Sequence, residues 1–416
     1  MPKRLLEVIM KAVMYGAGAI GRGFIGQKFY LSGYDTTFID VNMTVVDAIN
    51  AAGEYPVYVT GKDGYDEQPV KNVNAVDGRD SEKVIKTIAE CDILATALGV
   101  NVIKFVAPLI GKAIEKRYND GGKPLNILIC ENMIGSNVYL HDLVAAHVSD
   151  EYKEYFENNI GFVCVSVGRM VPPTPEELAA KNPLAVCVEP YSKLPVDANG
   201  FRPVGAEYPP IKGLVPFAPF EFFIEQKLMM HNMGHAVTSY LGYLKGYEYI
   251  WEASFDAEIK YIMTRALFES GMALSKKHGA DLSEVLEYVE DLNVRFENKL
   301  LGDTILRVGR DTKRKLAEGD RLVAAYKTAK ECGIVPAHIA LGIAAGFLFA
   351  HPGDETALET SAYAKENGIA AALEKYSNIT DEADVAVISK FYDMLVNKAS
   401  FTELCRELAI LKFKEH

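Results

Sequence analysis

Three chemically different polar side chains, Lys227, Asn232 and His235, stand close together in the otherwise largely apolar segment from Glu225 to His235. At about 100° per residue, an α-helix sets Asn232 about 140° and His235 about 80° round the axis from Lys227, so all three can share one broad face. Their axial spread, about 12 Å at ~1.5 Å per residue, is too long for a lysine–histidine contact and suits a small molecule lying between them. A lysine taken out of water can accept a proton near neutrality, while Asn and His can donate hydrogen bonds to a developing alkoxide. That is equipment for oxidising an alcohol. The same spacing also fits an amphipathic helix with a solvated lysine and satisfied core polar groups. His231 and His235 have the spacing of two zinc ligands, but the other histidines are scattered and the six cysteines form no Cys-x-x-Cys pair, so no metal site is expected.

A hydride acceptor would have to be held elsewhere, and the N-terminal region supplies a candidate. Lys11–Tyr15 reads as a buried strand that runs into Gly16-Ala17-Gly18-Ala19-Ile20-Gly21-Arg22, followed by a helix pattern to Leu31. Gly16 permits a tight turn, Gly18 lets backbone approach a pyrophosphate, and Gly21 allows close helix–strand packing, with the helix N-terminus toward the phosphates. A second strand, Thr36–Asp40, ends in an acid 24 residues after Gly16, where a carboxylate can bind the adenosine ribose hydroxyls and repel a 2′-phosphate. The following residues supply no arginine, so NAD is expected over NADP.

Elements that position these groups follow from periodicity. From residue 11 to about 170, strand-like runs alternate with helical ones: Tyr55–Thr60, Ser81–Glu90, Asp92–Leu98, Asn101–Lys116, Asn126–Cys130 and Gly161–Val167. This predicts an α/β fold with a doubly wound, mainly parallel sheet of the Rossmann type, whose carboxyl ends bring Gly99, Glu131, Asn132 and Arg169 into consideration. Residues 171–217 are Pro-rich with one more strand-like run, Leu184–Val188, and from Pro219 on helical periodicity dominates. Residues 1–217 are therefore expected to bind the dinucleotide and 218–416 to form a mostly helical substrate domain, with substrate in the cleft between them.

Composition narrows the partners. A net charge of −12 argues against nucleic acid or an anionic membrane surface. No apolar run reaches the ~20 residues of a membrane span, and Ile339–Ala350 reads as a buried helix. The N-terminus lacks the apolar core and cleavage site of a signal peptide, and six unclustered cysteines fit a reducing cytoplasm, so a cytoplasmic monomer or small homo-oligomer is expected. Against that acidic background, Arg307-Val-Gly-Arg310-Asp-Thr-Lys313-Arg314-Lys315 concentrates five cations in nine residues. It reads either as a solvated helix face or as a clamp for phosphate or carboxylate.

Taken together these residues resemble the polyol-specific long-chain dehydrogenase family. The likeness is carried by Gly16–Gly26, Cys130-Glu-Asn-Met133, Arg169-Met-Val-Pro-Pro173, Lys227 with Asn232-Met-Gly-His235, Arg295-Phe-Glu-Asn298, Arg307-Val-Gly-Arg310 and Gly319-Asp-Arg-Leu322, from about Met10 to the C-terminal helices. The resemblance implies metal-independent hydride transfer to NAD, with Lys227 as general base and Asn232 and His235 orienting the alcohol and stabilising the oxyanion. It also implies that Asn132 contacts the reacting region and that the far end of the substrate lies near Arg310 and Arg314, while Arg169 is expected in the substrate site from its place at the carboxyl end of the sheet. The expected reaction interconverts mannitol 1-phosphate and fructose 6-phosphate. A free polyol or a hexuronate-derived acid is the alternative. Two departures stand out: Gly168 occupies a position where members of the family carry aspartate, and about nine residues precede the usual start as a tail.

Overall fold

The computed structural model describes residues 9–61, 64–133 and 135–413, so residues 1–8 of the expected tail lie outside the described residues. The chain divides into two compact units between Glu221 and Phe222.

Eleven strands are named in the first unit: β1 Met10–Tyr15, β2 Tyr34–Asp40, β3 Glu54–Thr60, β4 Tyr65–Lys71, β5 Val73–Asp77, β6 Ile93–Thr96, β7 Leu125–Ile129, β8 Ile160–Cys164, β9 Val186–Val188, β10 Leu194–Asp197 and β11 Leu214–Phe217. Six of them form one parallel sheet in the order β5-β2-β1-β6-β7-β8. Numbered among themselves these strands run 3-2-1-4-5-6, the doubly wound order that leaves a ligand crevice at the carboxyl ends beside β1. The alternation of β1 explains its continuous apolar sequence: Ala12 and Met14 enter one core, Val13 and Tyr15 the other.

One sequence expectation needs correcting. Tyr55–Thr60 is a strand, but as β3 it pairs antiparallel with β4 and parallel with β9 in a separate three-stranded sheet. The third strand of the parallel sheet is β5, an edge strand of five residues, Val-Asn-Ala-Val-Asp, two of them buried. An edge strand buries less than a central one, and five residues with two polar ones carry little periodicity.

Named elements of the second unit are helices, among them Ala257–His278 and Ala337–Leu348. The second corresponds to the apolar run noted above and buries eleven of its twelve residues. Its N-terminus is satisfied inside the protein by the fully buried Glu269, whose carboxylate accepts the N–H groups of His338 and Ile339 at 3.0 and 3.1 Å and pairs with Lys412 at 3.0 Å. Among the described residues, no helix is long and apolar enough to cross a membrane.

Candidate active site

The turn after β1 is built as a phosphate cradle. Gly16 has φ +107°, and a Cβ there would lie 2.6 Å from the Ala97 carbonyl oxygen; a Cβ at Gly21 would lie 2.0 Å from that of Gly16. Both positions exclude a side chain. At Gly18 the surroundings are the opposite, with nothing within 4 Å of an added Cβ, which leaves open backbone at the start of the Ala19–Ile20 helical turn. Asp40, at the end of β2, fixes this turn by accepting the Ala17 N–H at 2.7 Å on one oxygen and the Asn42 N–H at 2.9 Å on the other. Each oxygen keeps a further lone pair for a ribose hydroxyl. Arg22 folds back to donate to the Ala17 carbonyl, and its buried Nε has no hydrogen-bond partner, a donor suited to a phosphate oxygen. These residues fit a dinucleotide.

Further along the same sheet, buried Glu131 accepts the Thr96 hydroxyl at 2.7 Å and the Leu98 N–H at 3.0 Å. Burial pushes its carboxyl up, and these hydrogen bonds counter that rise. Asn132, the next residue, is exposed. Arg169 is not: it is 7% exposed, donates to the carbonyls of Tyr191 and Gly23 and to Gln27, and lies 5.1 Å over the Phe24 ring. Its Nε and Nη1 donors bind the 168–173 segment to the glycine-rich helix. Gly168 has a local reason as well, because a Cβ there would stand 2.9 Å from the Tyr191 ring.

In the second unit, Lys227, Asn232 and His235 lie on one unbroken helical stretch from Glu221 to Lys245, but it is not uniformly α-helical. Lys227–Asn232 is a π-helical turn, with α-helix before and after it. Bonding of the i→i+5 kind makes residues five apart roughly one turn apart, so the ~140° separation expected of Lys227 and Asn232 in an α-helix is largely removed. Asn232 is half-buried, and its amide makes no hydrogen bond to another described residue. His235 is buried, stacked on Phe296 at 4.1 Å and 18°, with the His231 ring 5.0 Å away. Burial, then Arg307, Arg295, Arg321 and Lys315, holds its pKa well below the ordinary histidine value. His231 is depressed likewise, by burial first and then by Arg295, His235 and Lys227. Both rings are neutral near pH 7. A neutral imidazole, a half-buried amine and an uncommitted amide suit proton abstraction from an alcohol without a metal.

His235 also forms part of the wall of a cavity of about 490 Å³ lined by Arg307, Arg310, Arg314, Lys315 and Arg321 together with Val308 and Asp311. The run is not one helix, so Arg310 and Arg314 do not share a continuous helix face. Helix Ile305–Gly309 ends at Arg310, Asp311 takes a left-handed φ of +66°, and a new turn, Thr312–Lys315, begins. The break turns four of the five cations of the run into the cavity, while Lys313 pairs with Glu359. Arg321 completes the lining from six residues beyond the run. Its only sequence signal was the Gly319-Asp-Arg-Leu322 likeness. Three carboxylates oppose these five cations: Asp303 pairs with Arg307, Asp311 with Arg314 and Asp320 with Arg321. Two net positive charges remain. Lys315 donates to the carbonyls of Val308 and Arg310, and burial, then Arg321 and Arg314, brings its pKa down to about 7.

Comparison with known proteins bears on both units. Residues 10–207 match the model of the mannitol dehydrogenase Rossmann domain, and residues 220–403 that of the mannitol dehydrogenase C-terminal domain. A mannitol-1-phosphate 5-dehydrogenase from Geobacillus thermodenitrificans (strain NG80-2) is 38% identical over 385 residues, 92% of this chain and 97% of the relative. One from Thermoanaerobacter pseudethanolicus (strain ATCC 33223 / 39E) is 35% identical over 388 residues, 93% of this chain and 98% of its own. Among solved structures, a substrate-free D-sorbitol dehydrogenase superposes with a TM-score of 0.77 at 17% identity over 94% of each chain. A Pseudomonas fluorescens mannitol 2-dehydrogenase, solved with NAD and D-mannitol, gives 0.68 at 16% identity over 97% of this chain and 94% of its own. At these identities the two structures speak for the fold.

Proposed function

The chain belongs to the mannitol dehydrogenase family, and on that footing we propose that it interconverts mannitol 1-phosphate and fructose 6-phosphate with NAD as the redox partner. The observation that carries the choice of a phosphorylated substrate is the cationic cavity walled by His235: a phosphate dianion in a protein of net charge −12 needs local cations, and five converge there. Both named relatives carry the same activity in their names.

In the oxidative direction Lys227 takes the hydroxyl proton while hydride leaves the carbinol carbon and that carbon becomes the carbonyl C2 of the ketose. A bound nicotinamide supplies the hydride acceptor. Asn232 donates its amide N–H to the developing alkoxide, and His235, neutral and clamped against Phe296, orients the hydroxyls. On the nucleotide side, Gly16 to Arg22 would hold the pyrophosphate and Asp40 the adenosine ribose. Arg310 and Arg314, with Arg307, Lys315 and Arg321, would hold the phosphate.

The test is NADH oxidation measured with a panel of ketose phosphates, free ketoses and keto-acids. Fructose 6-phosphate should give the highest kcat/KM. A keto-acid or a free ketose ahead of every phosphate would overturn the assignment, the first by assigning the cavity to a carboxylate.

A further inference from the structure

Asp303 reaches both Arg307, which lines the cationic cavity, and the ring of His235, and its two carboxylate oxygens are used unequally. Oδ1 takes the guanidinium of Arg307, whose side chain is 47% exposed and lines the cavity. Oδ2 is buried, has no hydrogen-bond donor, and faces His235 Nε2 at 4.0 Å. A buried carboxylate oxygen without a donor is unfavourable, and the ring nitrogen opposite lies only about 1 Å beyond hydrogen-bond reach. The backbone here is fixed: the Asp303 carbonyl accepts the Ile250 N–H at 2.8 Å, and the Ile305 N–H reaches the Glu248 carbonyl at 2.8 Å. Closing the gap therefore needs only a side-chain movement, which the hold of Arg307 on the other oxygen opposes.

We propose that Asp303 is a positioning residue for His235 and that an anion in the cationic cavity sets it, by drawing Arg307 away and freeing the carboxylate to accept a hydrogen bond from Nε2–H. The ring is then held as one tautomer, with Nδ1 left as an acceptor for a substrate hydroxyl. This rests on the dehydrogenase reading above. It adds that the phosphate end of the substrate improves turnover as well as binding, because remote binding energy organises the reacting end.

The experiment separates the substrate into two pieces. Free fructose is reduced by NADH with and without saturating inorganic phosphate, and phosphate binding is read separately from the fluorescence of Trp251, the single tryptophan, which lines a small cavity with His235 and Asp303. Phosphate should raise wild-type kcat on free fructose by roughly tenfold, the worth of one hydrogen bond to a charged group. Asp303→Leu, which leaves no side-chain acceptor, should bind phosphate at least as tightly yet show no activation, and on fructose 6-phosphate it should lose roughly tenfold in kcat with no rise in KM. Arg307→Gln alters a half-exposed side chain and keeps the variant series informative should Asp303→Leu fold poorly. It should turn over free fructose faster than wild type without phosphate and gain nothing from adding it. Wild-type turnover indifferent to phosphate, or equal activation in either variant, overturns the proposal. Absence of turnover on any ketose would defeat the dehydrogenase reading and this inference with it, whereas turnover without activation defeats the inference alone.

Discussion

Lys227 and Asn232 stand at the two ends of a single π-helical turn, so the base and the amide proposed to act on one oxygen come from adjacent levels of the same helix side. An α-helix would splay them. The wider turn makes their joint action geometrically reasonable and gives the pair a testable signature.

If both act on the same alcohol oxygen, their losses should not add. Lys227→Ala should lower turnover at least ~10²-fold, and Asn232→Ala by a comparable ~10²–10³, with NADH binding near wild type in both. The double variant should be little worse than the poorer single one, because a unit lost once cannot be lost again. Rates that multiply independently in steady-state assays would show that the two residues serve different steps.

How much of this was legible in the sequence varied with the physics behind each feature. The glycine turn was readable because Gly16 and Gly21 meet backbone oxygens that no side chain could share space with. The reactive trio was readable as residue types on one broad helix face, but the closer alignment of Asn232 with Lys227 was not, since a π turn leaves no mark on an apolar pattern this short. Charge alone showed the basic run. Its folding into a cavity depends on the left-handed Asp311, a conformation that Asp tolerates and that a count of charges does not reveal. Asp303 was invisible for another reason: a lone acid after glycine reads as turn chemistry, and only the fold brings it beside His235.

Cofactor choice tests the other unit. Asp40 both repels a 2′-phosphate and holds the Ala17 and Asn42 N–H groups, so Asp40→Asn, which keeps a side-chain acceptor and removes the charge, is the informative change. Wild type should prefer NAD strongly, and the variant should narrow the NAD to NADP ratio of kcat/KM by about tenfold or more. A wild-type preference for NADP would contradict the assignment of Asp40.

Arg310 and Arg314 are distinguished by their partners. Arg314 pairs with Asp311 at 2.5 Å, whereas Arg310 has no carboxylate partner among the described residues. Arg310→Ala should therefore raise KM for fructose 6-phosphate roughly tenfold or more, corresponding to about 1.5–3 kcal/mol for a charge-assisted hydrogen bond, and Arg314→Ala should do less. Activity on free fructose should hardly change. Equal damage to both substrates would make these arginines structural.

Lys315 makes the phosphate affinity depend on pH, and the sign follows from its depressed pKa of about 7. Below that value the amine is charged and the cavity holds two net positive charges; above it the proton is lost and one remains. The substrate phosphate titrates in the other sense, reaching its dianion above about pH 6. Attraction should be greatest between these two values, with KM for fructose 6-phosphate rising as pH climbs from 7 toward 9. Bound phosphate favours the charged amine, so the rise begins somewhat above the free-enzyme pKa. Lys315→Arg, whose guanidinium stays protonated throughout, should flatten the alkaline limb, and free fructose should show no such limb in either protein. A KM for fructose 6-phosphate that stays level from pH 6 to pH 9 in the wild type, with kcat measured alongside, would show that the Lys315 charge takes no part in holding the phosphate.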